Sequence, residues 1–218
     1  MFKFFKKEKV TLTDFTFAFK KVNYLVKYAG TDEEKITILN SAIEIVKSDI
    51  KYSLLSDIIY KDFSRKLNDI FLAPFTVITE NRIMENHYTN EEVVVDLSKS
   101  TVITIPWSIE KFVKSILTIT KNDFINFTNN HKAYYFADLD IAYVYNGIHS
   151  STAGSLLKKG FIKAEKVDMT MIYPYIYYKD DYAYSSITNE KLSKIVDFRL
   201  ALLFELGKLK YNILTKTV

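Results

Sequence analysis

Residues 141–160 read IAYVYNGIHSSTAGSLLKKG, and the reading of this stretch decides how the chain is built. The run IAYVY predicts a buried strand over Ile141–Tyr145. Gly147 then supplies the positive φ, or the close approach, that a sharp exit from a strand requires. Beyond it Ser150, Ser151 and Thr152 are residue types that cap helix starts, so the stretch predicts strand, tight turn, helix. A helix start leaves N–H groups without acceptors and carries partial positive charge, which attracts phosphate or carboxylate. His149 adds a donor that can become cationic near neutral pH. Asn146, Gly147, His149, Ser150, Ser151 and Thr152 are therefore candidate ligand-binding residues of an anion cradle. Asn130 and His131, in the preceding polar segment, are placed to orient His149. The same residue types also suit an ordinary turn and helix cap, and both readings stay open at this level.

Working outward, the region from Thr11 to about Leu72 is helical. Phe15, Ala18, Phe19, Val22, Leu25 and Val26 recur at the spacing of one helical face. Gly30 interrupts it, and TDEEK follows as an N-cap with an acidic first turn. Ile36, Ile38, Leu39, Ala42, Ile43, Ile45 and Val46 form the next stripe, and Tyr52–Ile59 and Phe63–Phe71 read as two shorter helices. After Pro74 the pattern changes to strands in FTVIT, VVVDL and TVITI. PWSIEKFVKSILTI is a helix with Pro106 in its first turn and Ile109, Phe112, Val113, Ile116 and Leu117 on one face. MIYPYIYYKDDYAYSS is a hairpin turning near Lys179 to Asp181. A long helix from about Asn189 to Leu214 closes the chain, with Leu192, Ile195, Val196, Leu202, Leu203, Leu206, Leu209 and Ile213 as a wide apolar stripe. The expectation is one α+β domain over 1–218: a helical N-terminal layer (1–73) packed on a small mixed sheet in 74–218, with a long buried C-terminal helix.

Composition narrows the function classes. With 48% hydrophobic and 26% charged residues the chain is globular, and the absence of Cys excludes disulfides, thiolate catalysis and zinc–thiolate sites. A net charge of +4 is weak for a dedicated nucleic-acid binder, and few basic residues interleave the hairpin tyrosines, so nucleic acid is not an expected partner. The basic, Phe-rich start MFKFFKKEK lacks the apolar run of a secretory signal, and no stretch has the length of a transmembrane helix, so a cytoplasmic location is expected. His87, His131 and His149 lack metal-ligand spacing, and no cofactor motif is present. Asp138 and Asp140, alternating in FADLDI, read as an exposed strand face or a cation pair. Trp107 reads as a core anchor. Glu205, in the apolar segment LLFELGKL, needs a partner if buried and could support the loop by orienting a His or Lys of it.

The stretch N-G-I-H-S-S-T-A resembles the D/G-G-x-H-R-x-x-A loop of the ParB/sulfiredoxin-like superfamily, whose strand, turn and helix start hold nucleotide phosphates. Asn146, Gly147, His149 and Ala153 match that pattern, and Ser150 stands where those proteins have a phosphate-contacting Arg. From about Asp96 to Lys210 the chain also resembles an uncharacterised bacterial domain family with an Asn-His pair, a G-x-H-S loop, a tyrosine-rich hairpin and a closing helix. That resemblance implies site positions and names no activity. Residues and resemblance together lead to the expectation of a cytosolic bacterial or phage protein binding a phosphate-bearing small molecule, a nucleotide first of all. Two alternatives stand beside it: an interaction or phage-defence protein without a ligand site, and a His-dependent hydrolase or transferase.

Overall fold

The computed structural model describes residues 12–60, 76–79, 82–85, 88–127, 129–179, 182–195 and 197–216. Two helices come first, α1 (Leu12–Lys27) and α2 (Asp32–Tyr60). The turn between them is held by a reciprocal cap. The Glu34 N–H donates to Thr31 Oγ1 (3.2 Å), while the Thr31 and Gly30 N–H groups donate to Glu34 Oε2 (3.1 and 2.7 Å). α2 runs unbroken through Tyr52–Ile59, which the sequence reading treats as a separate helix. It does so because Leu39, Ile43, Ile50, Leu54 and Ile58 keep one buried stripe along its whole length. Lys47 lies on that stripe and is 1% exposed; its ammonium meets Glu44 (2.6 Å) and Asp140 Oδ2 (3.7 Å), so the buried charge is paired. The expected helix at Phe63–Phe71, and His87, lie outside the described residues.

Ten strands and three further helices follow among the described residues. β1 (Thr76–Thr79) and β2 (Arg82–Glu85) form an antiparallel pair. β3 (Tyr88–Asp96), β4 (Thr101–Ile103), β5 (Lys132–Phe136), β6 (Ile141–Asn146) and β7 (Phe161–Val167) make a five-stranded mixed sheet in the order β3-β7-β5-β6-β4. α3 (Ile109–Lys121) follows β4, and α4 (Ile148–Leu157) follows β6. After β7 come two short 3-10 turns (Met169–Met171, Tyr173–Tyr175), then β8 (Ile176–Lys179), β9 (Tyr182–Ser185) and β10 (Lys191–Lys194) as a three-stranded antiparallel sheet. α5 (Phe198–Lys216) closes the chain. This is an α+β fold, with the N-terminal helices and α5 packed together on the mixed sheet.

The interior strand β6 is buried on both faces. Ile141 and Tyr143 join the core shared with α2 and α5, and Ala142 and Val144 join a second cluster with Val102, Ala133, Ile162 and Ala164. That is why IAYVY reads as a continuous apolar run rather than an alternating one.

Several expectations are corrected. FIKAEKV, left unassigned by the sequence reading, is the interior strand β7; Ile162, Ala164 and Val167 are buried while Lys163 and Lys166 reach Glu92 and Glu91 of β3. KLSK is β10, paired to β9, so the last helix begins at Phe198 rather than Asn189, where the Asp197 carboxylate accepts the Arg199 N–H (3.0 Å). Pro106 precedes α3, whose N-cap is Ser108 accepting from the Lys111 N–H (3.3 Å). α3 turns Phe112, Ile116 and Ile119 inward and leaves Ile109, Val113 and Leu117 exposed. Trp107 is 56% exposed rather than a core anchor. Asp138 and Asp140 sit in the turn between β5 and β6, not on a strand. Lys179 pairs with Tyr182 in the β8–β9 hairpin; residues 180 and 181 lie outside the described residues.

Candidate functional site

β4 and β6 are parallel neighbours, with Thr101, Val102 and Ile103 opposite Ile141, Ala142 and Tyr143. Each strand leads into a helix, so α3 and α4 begin beside each other at the carboxyl edge of the pair. In open α/β sheets the carboxyl edge of parallel strands is a common place for ligands. The exit from β6 is a single residue. Gly147 has φ +70 and is itself the N-cap of α4, and the side chain of Asn146 accepts its N–H (3.0 Å). A Cβ at Gly147 would fall 2.8 Å from the Asn130 carbonyl oxygen and against the His131 ring, so both the backbone angle and the space demand glycine.

The hydroxyl residues do not cap α4 as expected. The helix starts immediately after Gly147, which carries Ser150, Ser151 and Thr152 into its first turns, where a hydroxyl bonds back to a preceding carbonyl. Ser150 Oγ donates to the Gly147 carbonyl (3.0 Å), and Thr152 Oγ1 donates to that of Ile148 (2.7 Å). Ser151 is fully buried, and its Oγ has no hydrogen-bond partner among the described residues. The first intrahelical bond is Ser151 N–H to the Gly147 carbonyl (3.0 Å). The N–H groups of Ile148, His149 and Ser150 therefore precede any intrahelical acceptor, and α4 has no side-chain cap among the described residues.

His131 and His149 both lie at this start, and one ring nitrogen of each accepts a backbone N–H. His131 is 3% exposed. Its Nδ1 accepts the Phe127 N–H (2.9 Å), so Nε2 carries the proton and donates to Ser150 Oγ (2.7 Å), which in turn donates to Gly147. This chain fastens the segment before β5 to the first turn of α4, and burial holds His131 below its ordinary pKa. His131 is thus a pin beneath the loop rather than a ligand contact. His149 Nε2 accepts the Ser108 N–H at the start of α3 (3.2 Å), and its ring meets Trp107 edge-on at 5.0 Å. An imidazolium could not accept that N–H. Burial, helped by Lys111, lowers its pKa, so His149 works as a neutral acceptor joining the two helix starts.

The positive charge at this edge comes from lysines. Lys111 sits 4.0 Å over the Trp107 ring, and Lys132 lies opposite Asn146 across β5 and β6. Glu110 opposes them, accepting from Ser108 Oγ (3.0 Å). A groove of about 580 Å³ runs along α3 from Ile109 and Glu110 to Asn122. It begins at the same edge, but Val113 and Leu117 give it an apolar lining.

Glu205 does not support the loop. It lies on α5, where burial raises its carboxyl pKa and Lys208 opposes that shift; Tyr178 of β8 is also an electrostatic neighbour. Asp138 accepts from the Tyr173 hydroxyl under α5, an approach possible because Gly207 presents no Cβ. The sequence reading missed Lys111, Trp107 and Ser108 as parts of the site, since only the parallel pairing of β4 with β6 brings PWSIEK beside NGIHSS. Among the described residues no group of three His, Cys, Asp or Glu could hold a metal ion, and no helix is long and apolar enough to cross a membrane.

No curated protein and no solved structure matches the chain. A family model does match, over residues 1–217, nearly the whole length. The chain belongs to DUF6710, a family of unknown function.

Proposed function

We propose that the chain binds a phosphate-bearing small molecule, a nucleotide first of all, at the start of α4. The observation that carries this reading is the pairing of two helix starts at one parallel-strand edge, one of them without a side-chain cap. Phosphate oxygens would accept from the N–H groups of Ile148, His149 and Ser150, where the helix field favours negative charge. Lys111 and Lys132 would supply the opposite charge. His149 would serve as a positioning residue, with His131 and Ser150 as the pin behind it. The likeness to the ParB/sulfiredoxin-like loop supports the same reading, and with Ser150 in the place of Arg, Lys111 takes over as the cation. A bacterial or phage origin, suggested by the Lys-, Ile-, Asn- and Tyr-rich sequence, and a cytosolic setting accompany the proposal.

Hydrolase chemistry through His131 is disfavoured by the hydrogen bonds. A general base for Ser150 would need a lone pair on Nε2, but that nitrogen carries the proton because Nδ1 accepts the Phe127 N–H. The hydrolase or transferase alternative would rest on His149, whose Nε2 is already accepting the Ser108 N–H, and we favour binding.

A thermal-shift series with inorganic phosphate, ADP, ATP and GTP tests it. At a ligand concentration one hundred times Kd, mass action stabilises the fold by about 2.7 kcal/mol. Lys111→Gln should shift the response to higher ligand concentration without changing the ligand-free melting temperature. No response to any phosphate compound would favour the interaction protein without a ligand site.

A further inference from the structure

The three-stranded sheet β10-β9-β8 buries one face and leaves the other open. Ile176, Tyr178 and Ala183 pack into the core with Phe204 of α5. Across β8 and β9, Tyr177 pairs with Tyr184 and Lys179 with Tyr182; across β9 and β10, Lys191 pairs with Tyr184 and Lys194 with Tyr182. Directly paired residues share a face. Tyr177, Tyr182 and Tyr184 therefore stand on the outer face with Lys179, Lys191 and Lys194. The tyrosines are half-buried, which fixes their rings, and the lysines are exposed. Tyr177 and Tyr184 stack at 5.4 Å and 15°, the Tyr177 hydroxyl is tied to Asn189 (3.2 Å), and Lys191 sits 4.0 Å over the Tyr182 ring.

We propose that this face binds single-stranded nucleic acid. Aromatic rings offer a stacking surface to any base, and lysines beside them neutralise the backbone, which together is the chemistry of sequence-tolerant single-strand binding. A duplex keeps its base faces inside the stack and could use only the lysines. The sequence reading sets nucleic acid aside because too few basic residues interleave the hairpin. It also assigns 191–194 to a helix; pairing β10 with β9 adds Lys191 and Lys194 to the tyrosine face. Of the nearby carboxylates, Glu190 accepts from Thr188 Oγ1 (3.1 Å), and Asp180 and Asp181 lie outside the described residues. The proposal is independent of the α4 site, and either can fail alone.

Fluorescence anisotropy with labelled dT and rU strands of roughly 20 nucleotides, and a duplex of equal length, tests it at about 50 mM salt. Single strands should bind more tightly than the duplex, and the dT and rU arms separate DNA from RNA. With three phosphates neutralised at roughly −0.7 each, log Kobs should fall against log salt with a slope of about −2. Lys191→Gln with Lys194→Gln, both solvent-facing, should reduce the slope to about −0.7 with the melting temperature unchanged. Tyr184→Ala should weaken binding roughly tenfold, and Tyr184→Phe should restore it. No binding, equal binding of the duplex, equal competition by polyglutamate, or full affinity in the folded lysine variant would each overturn the proposal.

Discussion

α4 and α5 are both buried helices, yet they are buried by different means. α5 sinks an unbroken apolar run, Leu200 to Phe204, and then Leu206 and Gly207, into the core between α1, α2 and β8. α4 buries Ser151, Thr152, Ala153, Gly154 and Ser155, a run of small and mostly polar residues. The Thr152 hydroxyl returns to the Ile148 carbonyl of the same helix (2.7 Å), and Ser155 accepts from Lys51 of α2 (2.9 Å). Apolar area removed from water scales with side-chain size, so α5 concentrates stability. α4 gains little from area; its small side chains allow close approach, which sets the position of its first turn. The contrast assigns cohesion to one helix and geometry to the other.

The comparison breaks first at α5. Leu206→Ala, at a side chain with no exposed surface, should cost about 2–5 kcal/mol in urea denaturation, and Leu202→Ala a similar amount. Losses below about 0.5 kcal/mol, the scale of surface changes, would show that α5 does not carry the core. At α4 the sensitive position is the glycine before it. Gly147→Ala combines a positive φ with a collision on Asn130 and His131, and should cost roughly 1–3 kcal/mol while abolishing phosphate binding. An Ala variant of native stability and affinity would show that the turn can relax.

Smaller still is an effect of pH. Burial holds both His131 and His149 below their ordinary pKa, so the folded state binds fewer protons than the unfolded chain. The stability they contribute is fully present above the unfolded value of about 6.5 and is lost as pH falls through the folded values. The melting temperature should drop between about pH 7.5 and 5.5, and His149→Gln should flatten part of the drop. A melting temperature that rises on acidification would contradict the neutral assignment. The smallest stability change belongs to Lys111→Gln, within about 0.5 kcal/mol, although ligand affinity should suffer. That variant sharpens the comparison by separating binding from cohesion.

How much of this was legible in the sequence depended on the range of the interaction that fixes each element. The Thr31–Glu34 cap, the strand–Gly147–helix transition and the apolar body of α5 are written locally, and each reads correctly from neighbouring residues. β7 is not local: Lys163, Glu165 and Lys166 look like a solvated loop until β3 supplies Glu91 and Glu92 opposite two of them. β10 has four residues with helix-compatible spacing, and only pairing with β9 makes it a strand. At the candidate site the turn and its glycine were legible. The roles of Ser150, Ser151 and Thr152 were not, because whether a hydroxyl caps a helix or bonds back within it depends on a shift of one or two residues in the helix start. The tautomers of the histidines follow from backbone donors at Ser108 and Phe127, which no sequence spacing reveals.

Uptake of phosphate at the start of α4 is the property on which the contrast between the two helices depends. Amide chemical shifts of the isotope-labelled protein, followed during titration with inorganic phosphate and then ADP, read that site directly. The N–H signals of Ile148, His149 and Ser150 should move together and saturate at one shared Kd, with Lys111→Gln raising that Kd and leaving the α5 signals still. Saturable shifts confined to other segments, or none at these amides at millimolar ligand, would contradict it.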